Sequence, residues 1–170
     1  MEDLNFDPAK STSQFRRNYK LHDLAEYNGK NLLTQWGIKF ADFGEDKRYQ
    51  KVWEKGNDKP DLIINYKEKE CLIDWKGKHK ADWIANKRAI ESYINWKEKF
   101  GMPVFICFAV FDNENILVEI KFASIGVHKF EEAKKRQWDK NEIVRFEKDL
   151  PDFTKVNLLK FINFLNNNSR

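Results

Sequence analysis

The chain has 170 residues, 41% of them hydrophobic and 15% aromatic, with six Trp and fourteen Phe; this excludes a disordered polymer despite a mean hydropathy of −0.76. The net charge is +4, from 31 basic and 27 acidic residues, and two cysteines without metal-ligand spacing exclude a disulfide framework or a cysteine zinc site. No apolar run approaches the ~18 residues of a membrane span and no signal-peptide pattern opens the sequence, so the expectation is one soluble, intracellular domain with no membrane partner.

Residues 1–13 read as a polar arm ending in a Ser-Thr-Ser cluster suited to starting a helix. Leu21, Leu24, Ala25, Leu32, Leu33 and Trp36 recur at helical spacing, and Gly37 follows as a stop. Ile38 to Phe43 reads as a strand leading into a charged loop from Gly44 to Lys59. Next come two short apolar runs, Leu62 to Ile64 and Cys71 to Ile73, around the charged tetrad Lys67 to Glu70, which predicts a β-hairpin.

A turn centred between Lys67 and Glu68 makes Asp61 oppose Asp74, and directly opposed side chains have Cβ atoms roughly 5 Å apart. Strand alternation places Lys76 on the same face as Asp74. Two carboxylates and an ammonium are therefore expected to converge.

Ala81 to Phe100 carries apolar residues without Gly or Pro and predicts a second helix, ended by Gly101-Met102-Pro103. Val104 to Phe111 is the most apolar run and reads as a central strand buried on both faces, followed by a turn over Asp112 to Asn115 and a neighbouring strand over Ile116 to Ala123. Phe130 to Trp138 reads as a short basic helix, Glu142 to Phe146 as an edge strand and Phe153 to Leu165 as an amphipathic helix. The fold class is thus α/β: a single domain over 1–170, core about 21–123, with a mixed central sheet flanked by helices and an accessory strand and helices in 124–170.

Basic residues cluster at Arg16, Arg17 and Lys20, at Lys76, Lys78, Lys80, Lys87 and Arg88, and at Lys134, Lys135 and Arg136. Such clusters suit polyanions, although each alone reads equally as a solvated face. Cys71 and Cys107 lie in apolar runs and read as small buried hydrophobes. Trp75, Trp83 and Trp96 read as core aromatics, and the histidines form no His-Asn or spaced His-His pattern.

The acid-x-Lys tripeptide occurs four times, at Glu45, Asp74, Glu119 and Glu132, which is what so many charged residues produce by chance. Context selects Asp74-Trp75-Lys76: an apolar strand before it, an opposed Pro60-Asp61 and a helix after it. In these residues the chain resembles the PD-(D/E)XK nucleases, over roughly Leu21 to Ala123. Glu26, Gly29, Leu33 and Gly37 are similar in spacing to the first helix of Holliday-junction-resolvase-like members.

The resemblance implies a restriction-endonuclease-like fold and metal-dependent hydrolysis of DNA phosphodiesters. It implies that Asp61, Asp74 and the Trp75 backbone carbonyl hold Mg²⁺, with Mn²⁺ as a substitute, and that Glu26 completes the site directly or through water. Hydrolysis of this kind needs a hard cation with oxygen ligands and open positions for water and phosphate. Lys76 would hold or help deprotonate the attacking water and offset developing charge. Lys78, Lys80, Lys87 and Arg88 are the expected DNA contacts, and His79 is adjacent to them. A homodimer fits an enzyme that must cut two strands. The alternative is a nucleic-acid-binding module that keeps the fold without cutting.

Overall fold

The computed structural model describes residues 13–43, 58–133 and 142–168. Helix α1 (Ser13–Gln35) leads into strand β1 (Lys39–Asp42). The hairpin β2 (Leu62–Tyr66) and β3 (Lys69–Lys78), the short strand β4 (Ile84–Asn86) and helix α2 (Lys87–Phe100) follow. Then come β5 (Val104–Phe111), β6 (Leu117–Ser124), β7 (Phe130–Ala133), β8 (Ile143–Phe146) and helix α3 (Lys155–Asn168). No helix among the described residues is long and apolar enough to cross a membrane.

Five strands form a mixed sheet in the order β1-β2-β3-β5-β6, and β4-β8-β7 form a second, three-stranded sheet. Strands β3 and β5 are parallel, joined by the crossover through α2, while the other neighbours in the large sheet are antiparallel. Every residue of β5 is buried, as its unbroken apolar run requires. Its alternate residues serve two cores. Ile106 and Phe108 meet Ile90, Tyr93 and Trp96 of α2 and Val144 and Phe146 of β8. Phe105 and Cys107 lie with Leu21, Ala25 and Leu33 of α1 and with Leu158 and Ile162 of α3.

The hairpin register is the expected one: Leu62 faces Ile73 and Tyr66 faces Lys69, across a two-residue turn in which Lys67 (φ 48°) and Glu68 (φ 68°) are both left-handed. Glycine stops also fall where expected, with Gly37 (φ 71°) after α1 and Gly101 (φ 62°) after α2, the latter donating to the Lys97 carbonyl at 2.9 Å. Two other glycines set how closely α1 approaches β3. A Cβ on Gly29 would stand 2.3 Å from the Trp75 ring, and a Cβ on Gly77 would stand 2.2 Å from the Leu21 carbonyl oxygen. Neither position accepts a larger side chain unless the helix moves.

Four expectations on element type and extent are corrected. The first helix begins at Ser13, well before the first residue of its apolar pattern. The second does not begin at Ala81: Ile84–Asn86 is extended and pairs with β8, burying Ile84 and Ala85 against it. Phe130–Ala133 is a strand paired with β8 rather than the start of a basic helix, held there partly by the Phe130–Phe146 ring contact, with centroids 5.3 Å apart. Strand β8 is accordingly the middle strand of its sheet, not an edge. The loop from Gly44 to Asn57 and the cluster Lys134 to Arg136 lie outside the described residues.

Candidate active site

The site forms where β2 stops and β3 continues. Strand β2 begins at Leu62, opposite Ile73, whereas β3 runs on to Lys78. The Leu72 amide donates to the Pro103 carbonyl beside β5, so in the alternating pattern of a parallel pair Ile73 and Trp75 direct their amides and carbonyls the other way, towards β2. Ile73 finds the Asp61 amide there, at 2.9 Å. Opposite Trp75 no β2 backbone remains. Its amide instead donates to Asp61 Oδ2 at 2.7 Å, and its carbonyl oxygen lies 3.0 Å from His22 Nδ1.

Asp74 is buried on the α2 side, with Oδ2 3.1 Å from Lys76 Nζ. That ion pair lacks hydrogen-bond alignment, and Oδ2 has no other donor. Burial, followed by the negative charge of nearby Asp74, pushes the hydroxyl of Tyr93, on α2, above its ordinary value. Burial, followed by the negative charge of Asp74, pushes Asp61 up to about 8, although the Trp75 amide and Lys76 pull the other way. The Asp74 carboxylate holds Lys76 above its ordinary value against the effect of burial, so Lys76 is an ammonium at neutral pH.

Glu26 stands at the rim. Lys30, one helical turn on, reaches Glu26 Oε1 at 2.7 Å and Asp42 Oδ1 at 3.0 Å. Burial alone would lower the Lys30 pKa, but these two partners outweigh it and raise it. Between Glu26 and the aspartates sits His22, its Nε2 3.6 Å from Asp61 Oδ1 and 3.9 Å from Glu26 Oε2. The structure thus gathers Asp61, Asp74, Lys76 and the Trp75 carbonyl, and leaves Glu26 one imidazole away, turned to Lys30. Among the described residues no three His, Cys, Asp or Glu side chains already form a cage for an ion.

The fold itself resembles a known one. A Holliday junction resolvase, Hjc, from the archaeal hyperthermophile Archaeoglobus fulgidus has a similar solved structure: TM-score 0.52, 11% identity, 82% of this chain and 95% of that one covered. The likeness is one of fold. No protein-family model matches the chain, and no curated protein matches it.

The expected DNA contacts surround the fork unevenly. Lys78 Nζ donates to the Ile84 carbonyl at 2.9 Å, and Lys80 is exposed. Lys87 faces Glu132 and Glu142, while Arg88 Nε lies 3.0 Å from Asp58 Oδ2. His79 Nδ1 lies 3.3 Å from the Phe111 carbonyl. Trp75, Trp83 and Trp96 are buried in the cores, as read from the sequence. Three residues of the site were not singled out there: His22, Lys30 and Tyr93. His22 and Lys30 flank Glu26 at one helical turn on either side, a spacing visible in the sequence.

Proposed function

We propose that the chain is a divalent-cation-dependent nuclease that hydrolyses DNA phosphodiester bonds at the β2–β3 fork. The observation that carries this reading is the Asp61–Asp74 pair beside a strand carbonyl with no strand opposite it. A half-buried carboxyl held protonated up to about pH 8 and a buried one with an oxygen lacking a donor form a donor set suited to a hard cation. Asp61, Asp74 and the Trp75 carbonyl are the residues that would hold it, as Mg²⁺ or its substitute Mn²⁺. Bound there, the cation polarises a phosphoryl oxygen and lowers the pKa of water.

The remaining work falls to the chain's own groups. Lys76, kept charged by Asp74, donates to the water or to a phosphoryl oxygen and offsets negative charge gathering there; as an ammonium it takes no proton. Tyr93 on α2 lies near Asp74, and the Trp75 amide fixes Asp61. DNA is the substrate class suggested by the resolvase with the similar fold, and cutting both strands of a duplex calls for two such sites, hence a homodimer.

The test is incubation of the protein with linear, circular, single-stranded and four-way-junction DNA, with Mg²⁺ or Mn²⁺, alongside Asp74→Ala and Lys76→Ala. Wild type is expected to cut at least one substrate and the variants none. Equal cutting by all three proteins, or cutting by none, removes the reading. The pairing of Glu26 with Lys30 favours one rival, a module that binds nucleic acid without cutting; it predicts DNA retention with no cation uptake dependent on Asp74.

A further inference from the structure

We propose that His22 is a ligand of the cation at this fork and that its imidazole makes the site select Mn²⁺ over Mg²⁺; the inference rests on the cation-dependent reading above. The ring stands among oxygen atoms that suit a cation. Nδ1 is 3.0 Å from the Trp75 carbonyl oxygen, and Nε2 is 3.6 Å from Asp61 Oδ1 and 3.9 Å from Glu26 Oε2. Adjacent donors on one octahedral cation, each about 2.1 Å from it, are about 3 Å apart. The His22 nitrogen and the Trp75 carbonyl already have that separation.

Backbone packing puts the ring there. Gly77 lets the Leu21 carbonyl rest directly on β3, and Gly29 receives the face of the Trp75 indole. These two close approaches fix α1 over the residue whose carbonyl is left without a strand partner by the early end of β2, and His22 is the next residue after Leu21. Its side chain is 37% exposed, so an ion arriving from solvent can reach it. A donor set of two carboxylates and one carbonyl suits Mg²⁺, which takes oxygen and keeps its water. Adding an imidazole moves the preference towards first-row transition ions, of which Mn²⁺ still accepts the carboxylates.

The experiment uses the cation-free full chain, loaded with Mn²⁺ alone and with Mg²⁺ alone, as wild type, His22→Gln, His22→Asp and Asp74→Asn. Affinity is read by calorimetry and the ligand atoms by pulsed electron paramagnetic resonance, in which a ligating imidazole gives a nitrogen coupling to Mn²⁺. Wild type is expected to show the coupling, and His22→Gln to lose it together with about tenfold or more in Mn²⁺ affinity and much less in Mg²⁺ affinity. His22→Asp, which returns an oxygen donor, is expected to bind again with its preference shifted to Mg²⁺.

If Mn²⁺ binds in an Asp74-dependent way without nitrogen coupling, or if either His22 substitution leaves the Mn²⁺-to-Mg²⁺ ratio unchanged, His22 is no ligand and the cation reading stands without it. Tighter binding of both cations by His22→Gln makes the ring a competitor for the Trp75 carbonyl and also overturns the proposal. Wild type that takes up neither cation overturns both readings.

Discussion

At the fork beyond Leu62 two carboxylates share one ammonium, whereas in the first turn of α2 two cations, Lys87 and Arg88, already face three carboxylates between them. The fork is buried: Asp74 is 3% exposed, and one of its oxygens lacks a donor. The turn of α2 is at the surface, and the Arg88 side chain is 77% exposed. Solvent screens the second group, so its pairing says little about stability. At the fork burial leaves less screening, and one carboxyl keeps its proton instead. A charge deficit that the fold maintains in its interior marks the place where an added cation does most.

The most severe way to break this contrast is Asp74→Asn. Removing the Asp74 charge leaves the Lys76 ammonium without the carboxylate that holds it, so the cation-free Tm is expected to fall by several degrees. DNA cleavage is expected to fall by about 10³-fold or more, because the donor that fixes the cation and Lys76 is gone. A lower Tm with cleavage retained would mean that Asp74 is a structural residue only.

A smaller effect is expected from pH. Asp61 holds its proton to about 8 in the folded chain, against an ordinary value of 3.8. Between those values the unfolded chain releases a proton that the folded one keeps, so this contribution is complete below about pH 4 and is lost as pH rises towards 8. Thermal scans of cation-free protein should therefore show Tm falling from pH 5 to pH 8, by roughly several degrees. Asp61→Asn, or saturating Mn²⁺ in wild type, should flatten the slope. A slope that persists in Asp61→Asn assigns the effect elsewhere.

Why the fork was legible and other parts were not follows from the range of the contacts involved. The opposition of Asp61 and Asp74 depends on a two-residue turn and on alternation over a dozen residues, both local, and the register agrees from Tyr66–Lys69 to Leu62–Ile73. Asp61 itself departs from the ladder, because its amide takes the Ile73 carbonyl. Residues 84–86 look helical alone; they are extended because their partner is Ile143–Phe146, a pairing that no short window contains. His22 had a visible spacing to Glu26 but no visible purpose. Its meaning depends on the Trp75 carbonyl, which is left without a strand partner by the point at which β2 begins. Lys78 and Arg88 were read as DNA contacts, and their acceptors within the chain, Ile84 and Asp58, lie 6 and 30 residues away.

The smallest expected effect decides whether the two regions differ in kind or only in degree. Lys87→Ala with Arg88→Ala should leave Tm within measurement error, since both cations are at the surface and their acidic partners rehydrate. If Lys87 and Arg88 exchange Glu132, Glu142 and Asp58 for phosphates when DNA arrives, the double variant should bind DNA a few-fold more weakly at low salt, irrespective of sequence. The slope of log affinity against log salt should then fall by about 2. An unchanged slope means that these pairs persist in the complex and that α2 is held to β7 and to the entry of β2 by charges that never meet DNA. Exposed Lys80, just past the end of β3, would then be the cation to substitute. In either case cation uptake at Asp74 should change little, because Asp58, the partner of Arg88, acts on Lys76 less than Asp74 and Asp61 do.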